Sequence, residues 1–199
     1  YTSQLAHQWS QGEVSLKTVS GSQLCIVGAG AIGQALASKS VALGMNVIGV
    51  SRTGQPQKNF EHMYVTSELS QAISQADIVV LLTPLTSETF HLFDHQTFSA
   101  MKQGSCFINI SRGETVDETA LLENLTNGKL SFAGLDVFEK EPLTAQSPFW
   151  DLPNVLITPH SAGDIDDYLP RAMAIFSGVL SDFLQDKVIR NRVDLELGY

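Results

Sequence analysis

The chain has 199 residues, 43% of them apolar, and 12 Lys and Arg against 21 Asp and Glu, for a net charge of −9. That is enough for one large domain with a buried core, and the acidic balance argues against general nucleic-acid binding and against an anionic membrane surface. No apolar run approaches the roughly 18 residues of a membrane span, and no signal-peptide pattern is present.

A cytoplasmic protein is expected. Cys25 and Cys106 sit inside the apolar runs "LCIVG" and "SCFINI". They read as buried, reduced thiols without metal-ligand spacing, and no metal site is expected. The first residue is Tyr1 rather than Met, so the chain reads as part of a longer protein.

Residues 1–22 are polar, with an amphipathic hint at Leu5, Trp9 and Leu16, and read as a linker or helix remnant. "QLCIVG" is a short buried strand running into glycines. "AIGQALASKSVALG" is a helix in which Ile32, Leu36, Ser40 and Leu43 recur at helical spacing and Gly44 ends the run. "MNVIGV" is a second strand, and "TSELSQAISQA" a short helix capped by Ser67. "DIVVLLT" is a buried strand cut by Pro84, "SETFHLFDHQTFSAM" loop and helix, and "GSCFINI" a further buried strand. "VDETALLENLTNGKL" is a helix with Asp117 as N-cap and Gly128 just past its end. "SFAGLDVF" and "NVLITPH" are the last two strands, "DIDDYLPRAMAIFSGVLSDFLQD" is a final helix, and "NRVDLELGY" is a polar tail.

Near-continuous apolar strands alternating with helices are the mark of a parallel sheet covered on both faces. The fold class is α/β, a doubly wound parallel sheet of the Rossmann type over 23–163, with residues 164–199 as a C-terminal helix and tail.

Within "GAGAIG", Gly28, Gly30 and Gly33 form G-x-G-x-x-G between a strand and a helix, the context that gives the motif meaning. Gly28 permits the tight turn, Gly30 lets the backbone approach a pyrophosphate, and Gly33 lets the helix pack on the strand. Ala31 and Ile32 belong to the same cofactor-binding turn, where the helix N-terminus offers unpaired N–H groups to phosphate.

An acid for the ribose 2′-OH is expected about 20 residues on. Ser51 and Arg52 stand there instead, and no Asp or Glu occurs between Glu13 and Glu61. An arginine would bind a 2′-phosphate through charge-assisted hydrogen bonds. The stretch therefore reads as an NADP(H) site with Ser51 as a second donor. The alternative is a loop arginine stacked on adenine, with NAD(H) also accepted.

Three charged motifs follow strand ends. "NISRGE" places Arg112, "LDVFEKEPL" places Asp136 and Glu141, and "ITPHSAG" places His160. Ligands of an open α/β sheet bind beyond the carboxyl ends of its strands. A guanidinium fork can hold the carboxylate and ketone of a 2-keto acid. A histidine can supply a proton near neutral pH, and a carboxylate beside it favours the imidazolium and orients the ring. Arg112 is thus expected to bind substrate, His160 to act as general acid/base and Glu141 to be its partner. His7, His62, His91 and His95 lack a comparable context and read as surface or packing residues.

"GAGAIG", "LTPLTSETFHLF", "FINISRGETVDETALLENLTNGKL", "GLDVFEKEPL" and "NVLITPH" together resemble the cofactor-binding half of the D-isomer-specific 2-hydroxyacid dehydrogenases, over nearly all of Leu24 to His160. "SRTG", "SPFW" and "LELGY" look most like the glyoxylate/hydroxypyruvate reductase branch, whose members commonly use NADPH. The resemblance implies that Thr83 and Pro84 line the nicotinamide ribose side and that Asp136 binds the carboxamide. It puts Ser161 and Ala162 near the nicotinamide ring. It further implies a homodimer, a small 2-keto or 2-hydroxy acid substrate, and a substrate-binding lobe largely absent from this chain.

Three other readings compete. A cofactor-sensing binding module of the corepressor type shares the fold, but the Arg–Glu–His set argues for an enzyme. A second is a formate or phosphite dehydrogenase variant, but formate dehydrogenases of this superfamily typically pair the histidine with glutamine rather than a residue such as Glu141. In an L-lactate-type enzyme the histidine lies in a different motif.

Overall fold

The computed structural model describes residues 2–9, 17–189 and 192–195. Leu16 and the last four residues of "LELGY" lie outside them. After a single turn of helix α1 (Thr2–Leu5), the chain builds β1 (Gln23–Val27), α2 (Ala31–Ala42), β2 (Asn46–Ser51), β3 (His62–Val65), α3 (Leu69–Ser74) and β4 (Ile78–Leu81). It continues through α4 (His95–Ala100), β5 (Ser105–Asn109), α5 (Glu118–Thr126), β6 (Leu130–Leu135), β7 (Val155–Ile157) and α6 (Tyr168–Leu184).

The strands form one seven-stranded sheet in the order β3-β2-β1-β4-β5-β6-β7, with every pair parallel. The chain winds outward from β1 to β3 and then returns to lay β4 on the other side of β1. The switch point therefore lies between β1 and β4, where the crevice for a ligand opens in such sheets.

The main core lies under α3, α4 and α5. Phe93, Phe98 and Phe107 are fully buried, with ring centroids 4.8–5.5 Å apart. A smaller cluster under α2 joins Leu24, Ile26, Ala37, Met45, Val47 and Val80.

The face that α2 buries is not the one its larger side chains suggest. Gly33, Ala37 and Ser40 point inward, whereas Ile32 is 66% and Leu43 65% exposed. The helix sits so close to the sheet at its first turn that a Cβ on Gly33 would lie 2.4 Å from the Gly28 carbonyl oxygen. Only small residues fit that approach.

Asp117 caps α5 as expected, accepting from the N–H groups of Thr119 and Ala120. Gly44 and Gly128 follow their helices at φ 79° and 75°. Ser67 is not a cap. A 3-10 turn over Thr66–Glu68 precedes α3, and the Glu68 carboxylate returns to the Val65 N–H at 3.1 Å.

The edge strand β3 has too short a pattern to stand out. Only Met63 and Tyr64 of its four residues are buried. Leu5 and Trp9 are exposed, so the amphipathic hint at the start buries nothing among the described residues.

Cys25 is buried, and burial pushes its thiol up to about 12. Cys106 is only half-buried, because it lies on the α2 side of the sheet toward β6 and β7, where Phe132 and Leu156 are also partly open. Helix α6 buries none of its 17 residues. Among the described residues no helix is long and apolar enough to cross a membrane.

The aromatic trio is expected to dominate the stability of this unit. Phe98→Ala should cost about 3–5 kcal/mol in urea unfolding, since it removes a fully enclosed ring and leaves a cavity.

Candidate active site

A cleft of about 440 Å³ opens at the switch point, lined by Gly28, Gly30, Ser51, Arg52, Thr83 and Pro84 among others. Its floor is set by backbone contact. Gly28 has φ 106°, and a Cβ there would lie 2.7 Å from the Leu82 carbonyl carbon, so the β1 turn lies directly against the end of β4. A Cβ on Gly30 would meet nothing within 4 Å, which leaves its backbone open to the cleft.

Gly30 is the N-cap of α2, no side chain caps that end, and the first turn carries no acid. The free N–H groups and the helix dipole are thus available to an anion. Thr83 Oγ1 and Gln57 Oε1, both on residues lining the cleft, are buried without a hydrogen-bond partner. Buried polar atoms are rarely left unpaired, and these two fit a ligand that completes them. A glycine cradle, an uncapped helix end, an unpaired hydroxyl and an unpaired amide oxygen suit a dinucleotide.

Ser51 Oγ accepts the Gly54 N–H at 3.1 Å, which folds the "SRTG" turn and leaves the hydroxyl proton to donate. Arg52 is exposed at the same rim. Ala31 and Ile32 are exposed and do not line the cleft. Their contribution is confined to the helix N-terminus.

Arg112, Glu141 and His160 follow three adjacent strands, β5, β6 and β7, at the same edge of the sheet. The β5 end is tied by a buried polar knot. Asn109 Oδ1 accepts from the Ser111 N–H (3.0 Å) and hydroxyl (2.8 Å), and its Nδ2 donates to the Arg112 carbonyl at 3.2 Å. The Arg112 backbone is fixed while its guanidinium stays exposed, one N–H donating to the Ser111 carbonyl at 2.6 Å. The next residue, Gly113, passes so close to Phe138 that a Cβ would lie 1.8 Å from its carbonyl carbon. The loops carrying Arg112 and Glu141 are therefore in backbone contact.

His160 has φ 52°, an uncommon conformation for a residue with a side chain. Its N–H donates to the Asp136 carbonyl at 2.8 Å. Its Nδ1 lies 2.7 Å from Glu141 Oε2, and Glu141 Oε1 accepts the Phe138 N–H at 3.0 Å. Burial pushes the Glu141 carboxyl up, but the His160 hydrogen bond, the Phe138 N–H and the charge of His160 outweigh it and hold it below the ordinary glutamate range. An ionised Glu141 only accepts, so Nδ1 carries the hydrogen and Nε2 is left to exchange a proton.

Asp136 is 3% exposed. Its carboxylate accepts from the Thr158 hydroxyl and from the N–H groups of Ser161 (2.9 Å) and Ala162 (3.0 Å). Burial raises this group too, and the three hydrogen bonds with the nearby His160 charge bring it below the ordinary aspartate range. Ser161 and Ala162 thus meet Asp136 through their backbones. None of Asp136, Ser161, Ala162, Arg112, Glu141 and His160 lines the cleft itself.

Motif reading missed Gln57, the Asn109–Ser111–Thr115 knot and Thr158. The polar letters of "NISRGE" at the end of an apolar strand were the available signal for the knot. Gln57 carries none, since its place in the cleft depends on the loop after β2.

Residues 1–162 match the family described as D-isomer specific 2-hydroxyacid dehydrogenase, NAD binding domain, and the chain belongs to that family. The glyoxylate/hydroxypyruvate reductase B of Citrobacter koseri is 40% identical over 197 residues, 98% of this chain and 59% of that protein. The NADPH-dependent glyoxylate/hydroxypyruvate reductase of Sinorhizobium meliloti, solved in complex with NADP and sulfate, is 32% identical with a TM-score of 0.90, over 100% of this chain and 63% of that one. Phosphoglycerate dehydrogenase of Lactobacillus plantarum is 42% identical with a TM-score of 0.80, over 97% and 63%. The chain spans about three fifths of the length of these relatives. Dehydrogenase and reductase relatives give the corepressor-type alternative no support.

Asp136→Asn should destabilise the chain by about 1.5–3 kcal/mol near neutral pH, because the amide sets a donor against a backbone N–H. A depressed carboxyl contributes stability above its unfolded pKa and loses it as pH falls through the folded value. The gap between wild type and Asp136→Asn in chemical unfolding should therefore close below about pH 4.

Proposed function

We propose that this chain is the cofactor-binding part of an NADP(H)-dependent reductase of small 2-keto acids of the glyoxylate or hydroxypyruvate kind, with NAD(H) as a weaker alternative. The observation that carries the reading is the 2.7 Å contact of His160 Nδ1 with Glu141 at the strand edge that also carries Arg112. When bound, a nicotinamide dinucleotide supplies the hydride that C2 of the keto acid accepts. Arg112 holds the substrate carboxylate and ketone oxygen in its planar fork. His160 delivers the Nε2 proton to that oxygen, and Glu141 stabilises the charged ring and fixes its orientation.

Gly28, Gly30 and Gly33 with the first turn of α2 cradle the pyrophosphate, and Ser51 and Arg52 grip the 2′-phosphate. Thr83 and Pro84 face the nicotinamide ribose. Asp136 Oδ2, with one backbone donor, keeps a lone pair for the carboxamide, and Ser161 and Ala162 lie beside the ring. In this reading the dinucleotide unit spans 23–163, residues 1–22 lead into it, and 164–199 run toward a substrate lobe. The whole protein is a cytoplasmic homodimer.

Fluorescence titration at one fixed salt concentration tests the cofactor. NADPH should bind about 10-fold or more tightly than NADH, since one or two charge-assisted bonds contribute ~1.5–3 kcal/mol each. Arg52→Gln should abolish the difference, and equal affinities in wild type would overturn the NADP assignment.

In the whole protein, His160→Gln should lower kcat for glyoxylate reduction by about 10²–10⁴ and leave NADPH affinity unchanged. Wild-type turnover by that variant would remove His160 from the mechanism.

A further inference from the structure

Next to the Glu141–His160 pair lies a second carboxylate–histidine contact on the same loop. Glu139 Oε1 is 3.1 Å from His91 Nε2, with both side chains about one third exposed. Glu139 is also locked to the start of α5 in both directions. Its N–H donates to Glu118 Oε1 at 2.8 Å, and its Oε1 accepts the Glu118 N–H at 3.3 Å. His91 is itself anchored, with φ 47°, its N–H on the Glu114 carbonyl at 2.9 Å and its ring stacked on Phe90 at 4.1 Å.

Two carboxylates held this close repel each other. Burial and then the Glu139 charge push the Glu118 carboxyl above the ordinary range, against the pull of the Glu139 N–H. The contacts between Glu139 and Glu118 fix the geometry of the Phe138–Glu139 peptide. That peptide is pressed by Gly113 on one side and tied by Glu118 on the other. Its preceding N–H, on Phe138, orients Glu141.

We infer that Glu118, Glu139 and His91 form a clamp of positioning residues that holds Glu141 on His160 and keeps the Arg112 loop in register with that pair. The clamp acts through the backbone of residues 138–141 and touches no reacting atom. The inference rests on the proposed role of Glu141 and His160, but its test requires no turnover.

The probe is the Glu141 carboxyl, followed by carbon NMR across a pH titration of the chain. The charged groups facing Glu141 are His160 and Asp136, and those facing Glu139 are His91 and Glu118. Loss of the Glu139 charge alone would lower the Glu141 midpoint. Loss of the clamp loosens the His160 and Phe138 contacts and raises it. Glu139→Ala is expected to raise the midpoint by about half a pH unit or more, and Glu118→Ala to shift it in the same direction. Glu139→Gln, which keeps the acceptor for the Glu118 N–H and for His91, should restore a midpoint no higher than wild type.

An unmoved midpoint in Glu139→Ala, or equal lowering by the alanine and glutamine variants, would overturn the clamp. Should Glu139→Ala fail to fold, Glu118→Ala decides by the same criterion. If the whole protein reduces no 2-keto acid while the midpoint still rises, the proposed reaction fails and the clamp stands.

Discussion

A buried carboxylate must be matched by donors, and Asp136 is matched by three from one neighbouring strand end. The Thr158 hydroxyl and the N–H groups of Ser161 and Ala162 all converge on it, while the Asp136 carbonyl takes the His160 N–H. The turn after β7 is thereby folded around the end of β6. His160 tolerates φ 52° because these bonds over-determine its backbone. The side chain is then aimed back at Glu141 from the same β6 loop. Hydrogen bonding to Asp136 thus sets where the His160 ring can be.

The same logic runs down the strand edge. Asn109 ties the end of β5 to Arg112, and the Asp136 N–H donates to the Asn109 carbonyl at 3.0 Å. The three charged side chains are therefore mounted on one hydrogen-bonded ladder, β5-β6-β7. The dinucleotide cleft sits one strand away, between the β1 turn and β4. Parallel order carries both to the carboxyl edge of the sheet.

What the sequence made legible follows from how local each signal is. The glycine turn, the Asp117 cap and the three charged motifs each depend on a few consecutive residues, and the structure puts them on the expected elements. Of the α2 residues at helical spacing, Ser40 and Leu36 turn to the core but Ile32 and Leu43 do not, because the small Gly33 and Ala37 take the inward positions. There the distance between helix and sheet decides. Strand β3 escaped because two buried residues make no period. The Glu118–Glu139–His91 group could not be read at all, since its members come from α5, the β6 loop and the segment before α4. Only the crossover topology brings them together.

A chain of net charge −9 is an unpromising receptor for anions if charge is averaged over its surface. The averaging is what fails. No Asp or Glu falls between residues 13 and 61, so the glycine turn, the uncapped first turn of α2 and the "SRTG" loop lie in a stretch whose only charged side chains are Lys17, Lys39, Arg52 and Lys58. Along the strand edge beyond the cleft, Glu141 and Asp136 are engaged by His160 and by backbone N–H groups, and Arg112 is exposed. Screening over about 8 Å at physiological salt separates such local fields from the acidic surface elsewhere. An anionic ligand at this edge responds to the groups nearest it, the N–H donors of the first turn of α2 drawing it in and Glu88 of the cleft lining opposing it.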